Sequence, residues 1–250
     1  MATLERLYSE RDRVRLEGGV NARWSCRSYD HPLSLGDWAA LSYASERYRL
    51  PGARLVLQRV DEALFSGTLL SMNRVNGCTA VAVVVKDQGI VRSGMNAGIL
   101  GESLCLEASS MGIASCWITG SYRRKLLEVP VQAREQVLGI IALGWPKEAK
   151  PATRRRKALA GLCTSDPAAW PEMVRHAAEL VQQAPSAMNL QPWMMSYEQG
   201  CFAVDCAERA QLDLGIALCH AEVALRGTHA WAFGRGLKEP AAFVRLEESE

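Results

Sequence analysis

The segment APSAMNLQPW, residues 184–193, decides how the rest of the chain is interpreted. It places the hydroxyl of Ser186 and the side-chain amides of Asn189 and Gln191 on irregular backbone held between two prolines. Rigid polar groups of this kind suit contact with the edge of a planar heteroaromatic ring. The alternative is a loop that only ends a helix and anchors a buried Trp193, and the residue types allow both. The segment comes late, where a chain of 250 residues should be finishing its fold.

The apolar pattern on either side of this segment predicts an α+β chain in which the order helix, strand, strand, helix, strand occurs twice. The first set comprises a helix at 33–48 with Ser34 as N-cap, strands at 53–60 and 79–86, a helix at 94–111 and a strand at 136–144. The second set comprises a helix at 170–183 with Pro171 in its first turn, strands at 193–198 and 201–206, a helix at 208–227 closed by Gly227, and a strand at 241–247. We therefore expect two pseudo-repeats, each made of a mixed sheet and helices.

The two central helices each carry a stripe of small side chains at the spacing i, i+4, i+7. The stripes are Gly94, Gly98 and Gly101 in the first helix, and Ala217, Ala221 and Ala224 in the second. Small side chains let two helix backbones come close, so one interpretation is that these helices pack on each other across a pseudo-twofold axis. The alternative is chance, because Gly and Ala are common residues.

Composition and charge indicate an ordinary globular protein. With 48% hydrophobic residues, the chain can bury a full core as one large domain or two small ones. The net charge of +2, from 29 basic and 27 acidic residues, argues against a nucleic-acid partner or a membrane surface. The N-terminus MATLERLYSERDRVRLEGG lacks an apolar signal core, and no apolar run approaches the roughly 20 residues of a membrane span. We expect a soluble, cytoplasmic protein.

The eight cysteines are scattered, with no C-x-x-C pair and no histidine at metal-ligand spacing. Most lie in apolar surroundings, which is typical of reduced thiols in a core. Disulfides or a metal site are the alternative, but cytosolic proteins keep their thiols reduced. We therefore predict no metal.

Two basic segments could bind a phosphate. In ARWSCRSYDHPLS the residues Arg23, Ser25 and Arg27 alternate, so in an extended segment they point to one side and form an anion clamp. The alternative is a solvated strand edge. The second segment is the basic run 154–157 in the connector KEAKPATRRRKALAG. Such a run is usually a solvated linker, and it gains interest only if the first clamp lies nearby.

Together these segments resemble the nitroreductase family of FMN-dependent oxidoreductases. ARWSCRSY resembles the family's R-x-S-x-R-x-[FY] segment, and APSAMNLQPW resembles its APSAxNxQPW loop. GILGESLCLEASSMGIASCWITG resembles the central helix and the turn after it, and GIIALGWPKEAKPATRRRKAL resembles the closing strand, the G-[YW]-P turn and the basic tail. The resemblance covers residues 20–160 and 168–230.

The order of these motifs differs from that of an ordinary member. In the family the Pro-Ser loop directly follows the first helix, whereas here that place holds SYASERYRLPGARLVLQ, without the amides and the Trp. The second half has the loop but lacks the arginine segment and the tail. Ordinary members are homodimers in which one subunit's arginine segment and tail and the other subunit's loop grip each flavin. The resemblance implies that this dimer is fused into one chain, as in a small subgroup of the family typified by a protein from a thermophile.

The fusion implies a first nitroreductase-like half at 1–160 and a shorter second half at 168–250, packed as one internal pseudo-dimer. Such a chain should be a monomer with one flavin site and an empty second cleft. By the resemblance, the phosphate, ribityl and ring-edge contacts come from Arg23, Trp24, Ser25, Arg27, Arg154 and Arg156. Trp24 stands where the family often has a second basic residue. The ring contacts come from Ile118, Thr119, Gly120, Pro185, Ser186, Ala187 and Asn189.

The resemblance also implies a reaction. Hydride would pass from NAD(P)H to N5 of FMN and then to a small acceptor such as a nitroaromatic, a quinone or an enone, with no catalytic acid or base from the protein. One alternative is a protein that binds flavin or another ligand with little or no turnover. Another, if the resemblance is set aside, is a two-lobed α/β interaction module.

Overall fold

The computed structural model of the protein describes residues 3–5, 7–66, 75–152, 155–227, 229–234 and 242–246. Its α-helices in chain order are α1 (Glu10–Ala22), α2 (Leu35–Arg47), α3 (Ser93–Ser110), α4 (Glu172–Gln183) and α5 (Gln211–Ala224). Its strands are β1 (Thr3–Glu5), β2 (Ala53–Arg59), β3 (Ala80–Asp87), β4 (Ala114–Ile118), β5 (Glu135–Gly144), β6 (Trp193–Glu198), β7 (Cys201–Cys206), β8 (Ala230–Ala232) and β9 (Ala242–Arg245).

The first two helices begin at serine caps. Ser34 Oγ accepts from Asp37 N at 3.1 Å, and Asp37 Oδ2 accepts from Ser34 N at 2.9 Å, so α2 begins in a reciprocal capping box at the predicted N-cap. Ser9 caps α1 in a similar way, with Oγ accepting from Asp12 N at 3.2 Å. The prediction missed α1, whose charged sequence lacks a continuous apolar face.

The strands form two sheets. The first has the order β2-β3-β5-β4, and β3 in its interior buries its first six residues. The second has the order β6-β7-β9-β8-β1. Every pair of named strands is antiparallel, so the prediction of mixed sheets was wrong. Parallel contacts among the described residues are limited to isolated bridges such as Ser25 with Ser115.

One order of elements occurs twice, as the sequence predicts, with one further strand in each set. In chain order α2-β2-β3-α3-β4-β5 is followed by α4-β6-β7-α5-β8-β9. The four strands of each set also lie in the same spatial order within their sheet, and β1 is added at the edge of the second sheet. The extra strands, β4 and β8, were not predicted as strands.

The central helices α3 and α5 cross at a pair of glycines. A Cβ added to Gly98 would lie 3.0 Å from the Cα of Gly215, and a Cβ added to Gly215 would lie equally close to Gly98. The predicted contact between the two helices is confirmed. Its position in α5 differs from the prediction, because Gly215 rather than the alanine stripe faces Gly98. Nearly all of α3, and α5 from Leu214 on, is buried, so the helices form the centre of the protein.

Six of the eight cysteines are buried and all eight are free thiols. Burial raises the pKa of Cys78 to about 11, and it raises the pKa of Cys163 to about 11 as well. Within the ranges that the structure describes, no group of three His, Cys, Asp or Glu side chains could hold a metal ion. No helix in the same ranges combines the length and the apolar character needed to cross a membrane.

Candidate functional site

The arginine segment leaves the end of α1 and runs along the first sheet. Arg23 is the C-cap of α1, and its N–H donates to Gly19 O at 2.8 Å. Ser25 then forms a bridge with Ser115 in β4. Tyr29 ends the segment, and its hydroxyl donates to the carbonyl of Ala142 in β5 at 3.2 Å. These contacts hold the segment beside β4 and β5.

The three alternating side chains of this segment differ in exposure. Ser25 and Arg27 are exposed, and Trp24, just before Ser25, is partly buried. Arg23 is only 1% exposed, and its Nε lies 3.0 Å from Glu102 Oε1 in α3. Its terminal nitrogens Nη1 and Nη2 have no hydrogen-bond partner among the described residues. The predicted clamp therefore has two exposed members and one that faces the protein interior.

Glu102 is the acceptor at the centre of a buried polar cluster. It accepts from Trp117 Nε1 at 2.8 Å and from His220 Nε2 at 2.9 Å, in addition to its ion pair with Arg23. Burial acts to raise the pKa of Glu102, but the charge of Arg23 and the hydrogen bond from His220 outweigh it, so the pKa lies below its usual value. His220 binds at its other ring nitrogen to Leu180 O, at 2.9 Å.

The late loop, residues 184–193, is held by its own polar groups. Ser186 Oγ accepts from Gln191 N at 2.8 Å, and Ala187 N donates to Asp213 Oδ1 in α5 at 3.1 Å. Met188, Asn189 and Gln191 have positive φ angles of 49°, 56° and 44°. Such a run of left-handed residues other than glycine is uncommon and points to a functional constraint. Trp193 is 2% exposed, so the loop also has the buried anchor of the simpler interpretation.

The basic connector, residues 147–161, binds the late loop directly. Arg156 Nη1 donates to Asn189 Oδ1 at 2.7 Å, and Arg156 Nη2 donates to Gln183 O at 3.0 Å. Lys157 N donates to Gln191 Oε1 at 2.8 Å, and Asn189 Nδ2 donates to Arg155 O at 3.0 Å. Arg154 lies outside the described residues.

The same connector also contacts the arginine segment. Lys147 N donates to Ser28 O at 3.0 Å, and Pro146, just before the connector, forms a bridge with Tyr29. Lys150 Nζ donates to the carbonyl of Asn21, just before Arg23. The connector thus contacts the early arginine segment at one end and the late Pro-Ser loop at the other.

The third predicted segment lies at the end of β4. Ile118 is buried, whereas Thr119 and Gly120 are exposed. None of the hydrogen bonds among the described residues joins these three to the late loop. The connector therefore contacts both the arginine segment and the late loop, whereas residues 118–120 lie at and just beyond the end of β4.

A surface cleft of about 340 Å³ lies at the opposite end of β5 from the arginine segment. It is lined by Gln88, Arg124, Leu127, Val129, Val131, Glu135, Gln136 and Val137, none of which is a predicted site residue. Its charged groups are already paired, because Arg124 Nη2 donates to Val137 O at 2.6 Å and Glu135 pairs with Arg54 at 2.7 Å. The donors around the connector therefore make a better candidate for an anionic ligand.

Sequence reasoning missed the charged residues inside the central helices. Glu102 and His220 are ionisable side chains within helices α3 and α5, whose other residues are mostly small or apolar, and both are 0% exposed. An ionisable residue on an all-round apolar helix is costly to bury and needs a partner. That signal could have found both, although it could not have named Arg23 as their partner.

The chain is similar to known proteins in both sequence and structure. The sequence profile of a family described as "Putative TM nitroreductase" matches residues 18–225. A putative nitroreductase from Thermotoga maritima has a similar structure, with a TM-score of 0.63 at 20% identity over 93% of each chain. A putative NADH dehydrogenase/NAD(P)H nitroreductase from Parabacteroides distasonis has a TM-score of 0.50 at 18% identity, over 61% of this chain and 98% of its own. At these identities the likeness shows a shared fold, and no curated protein matches. The family match spans most of the sequence, and the chain therefore belongs to the putative TM nitroreductase family.

Proposed function

We propose that this protein is an FMN-dependent oxidoreductase that passes hydride from NAD(P)H to a small acceptor such as a nitroaromatic or a quinone. The observation that carries the proposal is the position of the basic connector. Lys147 contacts the arginine segment, Lys150 contacts the last turn of α1 just before it, and Arg156 and Lys157 bind the late loop. The connector thus links the part expected to hold a phosphate to the part expected to hold a ring, which lie more than 150 residues apart in the chain, and this link supports the proposal.

The described residues fit FMN in the chemistry of their donors. A phosphate monoester carries nearly two negative charges and is best bound by several cationic or hydroxyl donors. Ser25 and Arg27 are exposed donors, and Arg156 adds a third beside the late loop. Arg23 contributes two buried guanidinium nitrogens without a partner, which is the mark of an incomplete polar site.

In the proposed site, Ser25, Arg27 and Arg156 bind the phosphate. Pro185, Ser186, Ala187 and Asn189 cover the ring, together with Ile118, Thr119 and Gly120 from the end of β4. When bound, the flavin supplies the hydride-transfer chemistry, and the protein supplies position and charge. Arg156 must then share or exchange its bond to Asn189, so the connector and the loop adjust together when the cofactor enters.

We also propose that the chain is an internal pseudo-dimer, with halves at 1–160 and 168–250. The repeated order of elements, the equal strand order of the two sheets and the glycine crossing of α3 and α5 support it. The Parabacteroides protein supports it as well, because nearly all of that chain matches only 61% of this one. In this proposal the protein is a monomer that binds one flavin.

A second candidate function is binding of a flavin or another ligand with little or no turnover. One specific observation favours it. Asn189 already binds both Arg156 and Arg155, and Arg23 is buried against Glu102, so the polar groups of the site are largely engaged with one another. A site closed by such bonds could retain a ligand without giving NAD(P)H access to it.

The absorbance spectrum of the purified protein separates these functions, and mass spectrometry of the ligand released on denaturation identifies the cofactor. A yellow protein that NAD(P)H bleaches without oxygen supports the oxidoreductase, and the re-oxidation rates with a nitroaromatic and with a quinone then rank the acceptors. A yellow protein that resists bleaching supports the binding protein. A colourless protein that does not take up added FMN contradicts both and favours a two-lobed interaction module.

A further inference from the structure

Three ionisable side chains meet where the end of α1 and the central helices come together. Arg23 is 1% exposed, and Glu102 in α3 and His220 in α5 are 0% exposed. Both basic groups approach the same carboxylate atom, because Arg23 Nε lies 3.0 Å and His220 Nε2 lies 2.9 Å from Glu102 Oε1. The trio thus joins the first part of the chain to α5.

The hydrogen bonds of His220 define its charge. Nε2 faces a carboxylate and Nδ1 faces the carbonyl of Leu180, and both of these groups can only accept. Both ring nitrogens must therefore donate, which makes His220 an imidazolium. Together with an ionised Glu102 and the Arg23 guanidinium, the trio carries one net positive charge.

The phenol and thiol groups next to the trio do not neutralise this charge. Burial raises the pKa of Tyr8, Cys105 and Cys219 above the usual values, so all three are uncharged near neutral pH. A net charge away from water is costly unless it is paired. At the same place Arg23 has two guanidinium nitrogens, and Ser115 has a hydroxyl, without a hydrogen-bond partner among the described residues. An anion bound here would neutralise the excess positive charge and accept hydrogen bonds from the donors that have no partner.

The other central helix contains a matching cluster without an arginine. Glu222 in α5 accepts from Trp231 Nε1 at 2.9 Å and from His229 Nε2 at 2.7 Å, much as Glu102 accepts from a tryptophan and a histidine. Its other oxygen accepts from Leu7 N at 2.9 Å. No arginine in the described ranges pairs with Glu222. A glutamate in each central helix therefore accepts from a tryptophan and a histidine, and Glu102 has an arginine as a further partner where Glu222 has the N–H of Leu7.

We propose that Glu102 and His220 are positioning residues that hold Arg23, within a net-positive buried cluster, for binding of a phosphate monoester. This inference rests on the proposed function, in which that group belongs to FMN. Arg23 in this cluster is buried, and Ser25, two residues later in the same segment, is exposed. Glu102 and His220 would act through Arg23 and would not touch the ligand.

The test compares Glu102→Gln and His220→Gln with Glu222→Gln as matched control. The control removes a buried carboxylate that also binds a tryptophan and a histidine, but it leaves Arg23 in place. The readout is the ratio of the dissociation constants for riboflavin and FMN, which reports the contribution of the phosphate alone. We expect Glu102→Gln and His220→Gln to lower this ratio about tenfold, as for the loss of a charged hydrogen bond, and Glu222→Gln to leave it unchanged.

An unchanged ratio in Glu102→Gln would overturn the inference. Tighter FMN binding by this variant would overturn it as well, because it would mean that the charge of Glu102 only opposes the anion.

If the wild-type protein binds no FMN, the proposed function fails and inorganic phosphate becomes the probe. Phosphate that raises the melting temperature of the wild type but not of Glu102→Gln would still support the anion site, and no effect on either would refute it. If the variants do not fold, nitrogen NMR of the wild type decides: a His220 ring with one protonated nitrogen overturns the net charge, and two protonated nitrogens support it.

Discussion

Arg23 and Arg27 belong to one segment, but Arg23 is buried and Arg27 is exposed, so substituting each of them should have a different effect. We expect Arg27→Ala to weaken FMN binding by about 1.5–3 kcal/mol, the range for hydrogen bonds to charged groups, without changing the melting temperature. Titration with FMN and with riboflavin checks this, because riboflavin affinity should stay the same. Equal FMN affinity in variant and wild type would remove Arg27 from the phosphate site.

Arg23→Ala should weaken FMN binding by more than about 1.5 kcal/mol and should also destabilise the fold. The substitution breaks a buried ion pair with Glu102, which typically costs about 3–5 kcal/mol because the remaining charge loses a partner. Urea denaturation of Arg23→Ala beside Arg27→Ala measures the difference. A variant as stable as the wild type would show that the pair with Glu102 contributes little.

Glu135 provides a test of acid stability. A bidentate hydrogen bond from Arg54 lowers its pKa to about 2, although partial burial opposes the shift and Gln132 N adds a further donor. Because the pKa is lower in the folded state, Glu135 contributes stability above its ordinary pKa of 4.5, and this is lost as the pH falls towards about 2. We expect Glu135→Gln to cost about 1 kcal/mol at neutral pH and almost nothing near pH 2, measured by urea denaturation at both pH values. A cost that does not vary with pH would contradict the lowered pKa.

At the scale of elements, the close crossing of α3 and α5 should reverse the usual effect of replacing a helical glycine by alanine. Replacing a helical glycine by alanine usually stabilises a protein by about 0.4–1 kcal/mol. At Gly98 the new methyl group would clash with the carbonyl oxygen of Leu212 and would lie 3.0 Å from the Cα of Gly215, so we expect Gly98→Ala to destabilise by about 1–3 kcal/mol. The matched control is Gly18→Ala in α1, where nothing lies within 4 Å of the added Cβ and the usual gain is expected. Thermal unfolding of both variants checks the signs, and a stabilised Gly98→Ala would mean that the helices are not packed as described.

The elements that the sequence predicts are those with a strong local signal. α2 has its capping box, and β3 has an uninterrupted β-branched run. β4 was missed because ASCWI follows α3 after a short turn, and β8 because it has only three residues. The antiparallel pairing of the strands was not predicted, because the direction of pairing depends on the connections between strands and not on the composition of each strand.

The sequence predicted candidate segments for the site, but it did not predict which side chains contact each other. The motifs predicted three candidate segments, and the connector contacts both the arginine segment and the late loop. The burial of Arg23 was not predictable, because its partner Glu102 is far away in sequence and faces inward only once α3 is packed. The same holds for Asn189, whose amide binds Arg156 across another long separation.

At the scale of the whole molecule, each half has what the other lacks. The arginine segment and the connector belong to the proposed first half, and the Pro-Ser loop with its left-handed backbone belongs to the second. In the proposed internal pseudo-dimer the contact between subunits is already made within one chain, by α3 on α5 and by the connector on the late loop. Because the chain has one arginine segment, one basic connector and one Pro-Ser loop, it can form only one flavin site.

This arrangement predicts a monomer with a single flavin. Sedimentation should give a mass near 27.4 kDa, because the helices that would form the dimer interface are buried in the chain itself. Titration with FMN should saturate at about one per chain, since the second cleft has no arginine segment to bind a phosphate. Arg27→Ala is the control for stoichiometry, because a single site should titrate as one weakened class of binding in that variant, with no class of unchanged affinity. An obligate homodimer, or two equivalent FMN per chain, would mean that flavin sites form between chains or in both halves, and the complementary use of the halves would then be wrong.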